Sequence, residues 1–155
     1  MRTSLIGIVC CGPLLLVAPA AASSTPGAAV TTIKTIQKAS AFTTIDADHN
    51  GKASIGDYSV AEVIHVSPKT GKVIGGGTAI CTQINTAGTR FDCVGEDHFA
   101  GGEIREAGRF TLAAGFRLAV LGGTGVYQGA SGELRGTWLD TKLTRARDVF
   151  TIRKG

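Results

Sequence analysis

Hydrophobic and polar positions along the chain fall into short alternating runs broken by turn residues, and no stretch sustains a period of 3.6. "VTTIKTIQ" (30–37) is rich in β-branched residues, and "DYSVAEVIHVS" (57–67) follows a polar turn. "VIGGGTAICTQIN" (73–85), "TRFDCVGEDHF" (89–99) and "EIREAGRFTL" (103–112) come next. "GFRLAVL", "GELRGTWLDT" and "TRARDVFTIRK" complete the series. "PKTGK", "TAG" and "AGG" sit between neighbouring runs, where Gly, Pro and Thr suit hairpin turns. Eight β-type runs at such close spacing predict an all-β fold, an antiparallel sandwich or barrel, in a single domain.

Two further features follow from this pattern. If Thr86-Ala87-Gly88 closes a hairpin, Cys81 and Cys93 stand directly opposite each other on the paired strands. Within "DYSVAEVIHV", Asp57, Ser59, Ala61, Val63 and His65 share one face, while Tyr58, Val60, Glu62, Ile64 and Val66 share the other. Alternation alone does not say which face looks inward.

"AVLGGTGVYQGASGE" (119–133) has the look of a strand entering a dinucleotide-binding loop. Such a loop must open a helix and lead to a second parallel strand. Here Gly129, Gly132 and Gly136 fall inside the would-be helix, each costing about 1 kcal/mol relative to alanine. The glycines are therefore expected to serve positive φ and close backbone approach at a strand corner.

At 155 residues the chain is long enough for one hydrophobic core. The first 22 residues read as a secretory signal peptide: a basic start at Arg2, an apolar run from Leu5 to Val17, then "APAAASS". Residues 23–29 are expected to be a flexible tail and 30–155 the single β-barrel domain. Cleavage would remove Arg2 and no acid, leaving 15 basic against 12 acidic residues, scattered rather than clustered. That excludes a nucleic-acid-binding stripe, and after cleavage no segment suits a membrane span. Cleavage also removes Cys10 and Cys11, so Cys81 and Cys93 are expected to form a disulfide in a secreted, extracellular protein.

"DADHNGKASIGD" (46–57) places oxygens at the spacing of a calcium-binding EF-hand loop, with glycine at its sixth position. Its flanks favour strands rather than helices, and Asp, Asn and Gly between strands arise from ordinary turn chemistry. His49, His65 and His98 have no zinc-ligand spacing to one another or to the cysteines, so no metal site is assigned. No Gly-x-Ser-x-Gly elbow is present to support a serine hydrolase.

From about Ile55 onward the chain resembles the allene oxide cyclase barrel and its dirigent relatives. The resemblance rests on "IGDYSV", "TGKVIGGGTAICTQI", "GGEIREAGRF", "LAVLGGTGVYQGASGEL" and the closing "FTIRKG". It implies an eight-stranded antiparallel β-barrel that assembles as a homotrimer and encloses a greasy cavity without a cofactor. It further implies a hydrophobic small-molecule ligand or substrate and, for a catalytic member, an intramolecular isomerase or cyclase. A non-catalytic dirigent-like or ligand-binding barrel is the alternative. On this resemblance the face Asp57, Ser59, Ala61, Val63, His65 points inward, with Ser59, Ala61 and Val63 lining the cavity. The proposed site residues are His65 as proton carrier, Asp57 as polar orienter near the mouth and Tyr127 as hydrogen-bond donor. The first strand departs from the plant cyclases, since "VTTIKTIQKAS" offers only Lys34, Gln37 and Lys38 besides hydroxyls. Val63 stands where those enzymes carry an asparagine.

Overall fold

In a computed structural model of the protein, the described residues are 29–113 and 115–154. The expected signal peptide and nearly all of the expected tail lie outside them. The eight runs form eight strands: β1 (Val30–Ile45), β2 (Tyr58–Val66), β3 (Val73–Gln83), β4 (Arg90–Phe99), β5 (Gly102–Thr111), β6 (Phe116–Gly123), β7 (Ala130–Trp138) and β8 (Arg145–Lys154). Each pairs antiparallel with its sequence neighbour, and β1 closes onto β8, so the sheet is a complete barrel with no free edge.

β1 is the one strand much longer than its sequence run. Its pattern breaks at "KASA", and there the strand carries a bulge between Ala39 and Ala41 before it continues to Ile45. A bulge shifts which side chains face inward, so a single alternating pattern cannot run through it.

Register follows the hairpins. Cys81 pairs with Cys93, and a disulfide joins them. In an up-and-down barrel the connections alternate between two ends. The 46–57, 84–89, 112–115 and 139–144 loops lie at one end, which we call the mouth. In the half of the barrel away from the mouth the interior is a packed core: Ile104, Phe150 and Ile152 are fully buried, with Val120 and Tyr127 around them. Each large apolar side chain so buried contributes about 1.5–3 kcal/mol.

The glycine motif sits at the closed end. Thr124 introduces a single 3₁₀ turn, Gly125–Tyr127, between β6 and β7. Gly125 has φ +57, and a Cβ there would collide with the carbonyl oxygen of Gly101. Close approach and positive φ together require glycine at this corner.

Candidate functional site

The inward face of β2 is the odd-numbered one. His65 is fully buried, and Ser59, Ala61 and Val63 line a cavity of about 360 Å3 that occupies the mouth half of the barrel. Its walls are mainly apolar. Phe91, Phe110, Phe116 and Trp138 form one aromatic side, with neighbouring ring centroids 5.1–6.5 Å apart. Lys142, Leu143 and Thr144 reach it from the 139–144 loop. Both disulfide cysteines face it as well.

The floor is polar. Asp97 on β4 and Glu106 on β5 both line the cavity, although each is almost wholly buried. Two glycines make room for them. A Cβ on Gly77 would strike Asp97 Oδ1, and a Cβ on Gly95 would strike Glu106 Oε1. The carboxyl groups therefore lie flat over backbone from which side chains are missing.

His65 stands behind Asp97, below the cavity floor. Its Nε2 is 2.8 Å from Asp97 Oδ1, and its Nδ1 is 3.0 Å from Thr35 Oγ1 and 3.9 Å from Asp148 Oδ2. The imidazole is clasped by Phe99 and Phe150, at centroid distances of 5.1 and 5.9 Å. Thr35 and Asp148 are fully buried and are cross-strand partners on β1 and β8. Both Asp148 carboxyl oxygens and Oε2 of Glu106 lack a hydrogen-bond partner.

Such a cluster cannot hold all its charges in a low-dielectric interior. Burial pushes the Glu106 carboxyl up to about 9, and the neighbouring charge and hydrogen bonding of Asp97 push the same way. Burial likewise raises Asp148 to about 7, partly opposed by His65. Glu106 is thus a neutral acid at neutral pH, beside an Asp97 that contacts an imidazole. A protonated carboxyl set beside a second carboxyl and an imidazole is a working arrangement for acid–base chemistry.

The other residues singled out by sequence lie elsewhere. Asp57 is buried at the mouth, where Oδ1 accepts from the Ala47 amide at 2.9 Å and Oδ2 from the Ser54 amide at 2.7 Å. It is not among the cavity-lining residues. Tyr127 packs in the core at the closed end, and burial raises its hydroxyl pKa. The structure thus brings His65 close to the cavity, and not Asp57 or Tyr127. It also adds Asp97, Glu106, Asp148 and Thr35. Their signal was strand parity: Asp97 shares a face with Cys93, Glu106 with Ile104, and Asp148 with Phe150.

In the 46–57 loop, carboxylate oxygens of Asp46, Asp48 and Asp57 lie within 4.8 Å of one another. Backbone amides of Asn50 and Gly51 donate to Asp46, and Ser54 Oγ donates to Asp48 at 2.9 Å. These bonds are the ones that Asp/Asn turn chemistry makes for itself.

No family model matches the sequence, and no curated protein matches it. Solved structures do match in fold. A pyocyanin demethylase superposes with a TM-score of 0.68 at 23% identity, over 79% of this chain and 99% of that one. A pterocarpan synthase dirigent protein gives 0.66 at 16% identity, covering 83% and 96%. A Diels-Alderase from Streptomyces koyangensis gives 0.69 at 15% identity, covering 83% and 69%. The chain has the barrel fold shared by allene oxide cyclase-like and dirigent proteins.

Proposed function

We propose that this barrel binds a hydrophobic small molecule in its interior and acts on it by proton transfer, as a cofactor-free isomerase or cyclase. The observation that carries this reading is the Asp97–Glu106 pair at the floor of an otherwise apolar cavity, with His65 against its back. Glu106, neutral because it is buried beside Asp97, donates a proton or hydrogen bond to an oxygen of the substrate where negative charge develops. Asp97 accepts a proton from carbon or oxygen as Glu106 gives one up, and the two are exchanged back before the next turnover. His65, bonded through Nε2 to Asp97, shares the proton that Asp97 gains. General acid–base catalysis of this kind contributes about 10²–10⁴-fold. The aromatic wall adds orientation, which restricts the substrate to one reactive conformation.

In this reading Asp57 shapes the mouth by fixing the 46–57 loop, and Tyr127 sets the closed end. The fold neighbours support the substrate class: by their names they include a demethylase of pyocyanin, a pterocarpan synthase and a Diels-Alderase. We further propose export, with residues 1–22 as the signal and 30–155 as the barrel, which the disulfide supports. A homotrimer is supported by an apolar row on the outer surface. Val60, Ile80, Val94, Ala107 and Ala119 run in register across five strands, and Leu121 beside them is 66% exposed.

One observation favours a non-catalytic, dirigent-like barrel instead: β1 brings only Gln37, Ala39 and Phe42 to the cavity, with no acid. Two measurements separate the readings. Ala61→Trp, which fills the cavity, should abolish binding of neutral methylanthracene. With an allene oxide or another polyene precursor, the wild-type barrel should give enantiomeric excess. Binding without enantiomeric excess selects the carrier for those substrates. Unchanged binding in the filled variant removes the interior site altogether.

A further inference from the structure

The carboxyl groups below the cavity outnumber the cations available to them. Asp97 and Asp148 share the His65 imidazole while Glu106 lies beside Asp97, and the one basic side chain lining the cavity among the described residues is Lys142, exposed at the rim. Glu106 is 4% exposed, yet its Oε2 has no hydrogen-bond partner. The groups facing Glu106 are Asp97 on β4, Asp148 on β8 and, on the outer side of β4, Glu96, all acidic. His65 on β2, the basic group of this cluster among the described residues, already bonds Asp97. From β6, Leu118 and Val120 present no polar group at all. Above this floor the side chains of Phe91, Phe110, Phe116 and Trp138 line the cavity.

Resting on the interior site proposed above, we propose that its ligand is a flat heteroaromatic cation, which seats its positive nitrogen over Asp97 and Glu106 and its rings against the aromatic wall. Both halves of the site favour such a molecule. Aromatic faces attract cations through their quadrupole, more strongly when water is excluded. A buried carboxyl that must otherwise stay protonated gains a partner when a cation arrives. The exchange balances: the cation enters, Glu106 becomes a carboxylate and its proton leaves to solvent, so toward such a ligand Glu106 is a counter-ion and not the acid it is toward a neutral substrate. No bond within the ligand changes. A volume near 360 Å3 suits a small fused-ring system.

The test compares N-methylacridinium with its neutral isostere methylanthracene, using titration calorimetry in buffers of different ionisation enthalpy. At about pH 7 the wild-type protein should bind the cation about tenfold or more tightly than the isostere and release about one proton per cation. The cation's affinity should rise by up to about tenfold per pH unit toward pH 9, while the isostere's stays flat. Glu106→Gln should lose both the proton release and the pH dependence, its folding being checked by its urea midpoint. The wild-type pH series decides the matter even if that variant does not fold. Equal affinity for both probes, or cation binding that neither varies with pH nor releases protons, overturns the cation proposal and leaves the interior site standing. Failure of both probes to bind overturns the interior site as well.

Discussion

Glu106→Gln removes one ionisable group from the barrel floor while keeping its shape, so its effect on stability can be worked from the structure. In the unfolded chain Glu106 titrates near 4.5, whereas burial and Asp97 raise it to about 9 in the fold. Below 4.5 both states hold the proton. Between the two values the folded protein keeps a proton that the unfolded chain has released, so stability falls as pH rises. Above 9 the folded carboxyl ionises too, and the fall stops. Each unit of pH within the window costs about 1.4 kcal/mol. From about pH 5 to about pH 8 the wild-type protein should therefore lose about 4 kcal/mol relative to Glu106→Gln as a ceiling, and about 2 kcal/mol if water and relaxation screen half of it. Asp148, raised from 3.8 to about 7, adds a slope of the same sign in both proteins and cancels from the comparison to first order. Urea unfolding of the two proteins at a series of pH values measures the difference. Parallel curves would refute the assignment of a buried, protonated Glu106.

Other parts of the structure predict separate outcomes. Cys81→Ala with Cys93→Ala opens a loop of 12-residue separation and should lower the unfolding free energy by about 3 kcal/mol on the loop-entropy relation, read from urea midpoints. Gly125→Ala should cost about 2–3 kcal/mol more than Gly71→Ala. Both glycines have positive φ, +57 and +68, but only a Cβ at 125 meets another backbone, that of Gly101. Sedimentation equilibrium of the mature protein should give a three-chain mass, and Ile80→Asp, placed in the outer apolar row, a single-chain mass. A wild-type protein that sediments as one chain would rule out that interface.

Much of the barrel was legible in sequence because its determinants are local. Runs such as "TRFDCVGEDHF" carry their own alternation, and the "TAG" turn fixes the register that sets Cys81 against Cys93. β1 was read short because its bulge at Ala39/Ala41 interrupts the period on which the reading depends. The site was only partly legible. His65 stood out because β2 could be oriented by resemblance. Asp97, Glu106 and Asp148 come from three other strands, and their meeting depends on closure of the barrel. Their residue types are ordinary on exposed strand faces, where Glu96 and Asp92 do pair with Arg105 and Arg109. Gly77 and Gly95 held the clue. An inward glycine opposite an acid leaves space that the carboxyl then fills. Asp57 was drawn into the site by its inward parity, yet the amides of Ala47 and Ser54 engage both its oxygens.

Trp138 is the protein's single tryptophan, and it lines the cavity against Phe110 and Phe116. Its emission reports on the interior directly. Titration of the wild-type protein with methylanthracene, alongside the Ala61→Trp variant followed by the ligand's own fluorescence, tests whether the barrel holds a small hydrophobic molecule inside. Saturable quenching of Trp138 at one ligand per chain, with binding lost in the filled variant, is the predicted result. Methylanthracene that binds without perturbing Trp138, or equally well when the cavity is filled, would contradict an interior site.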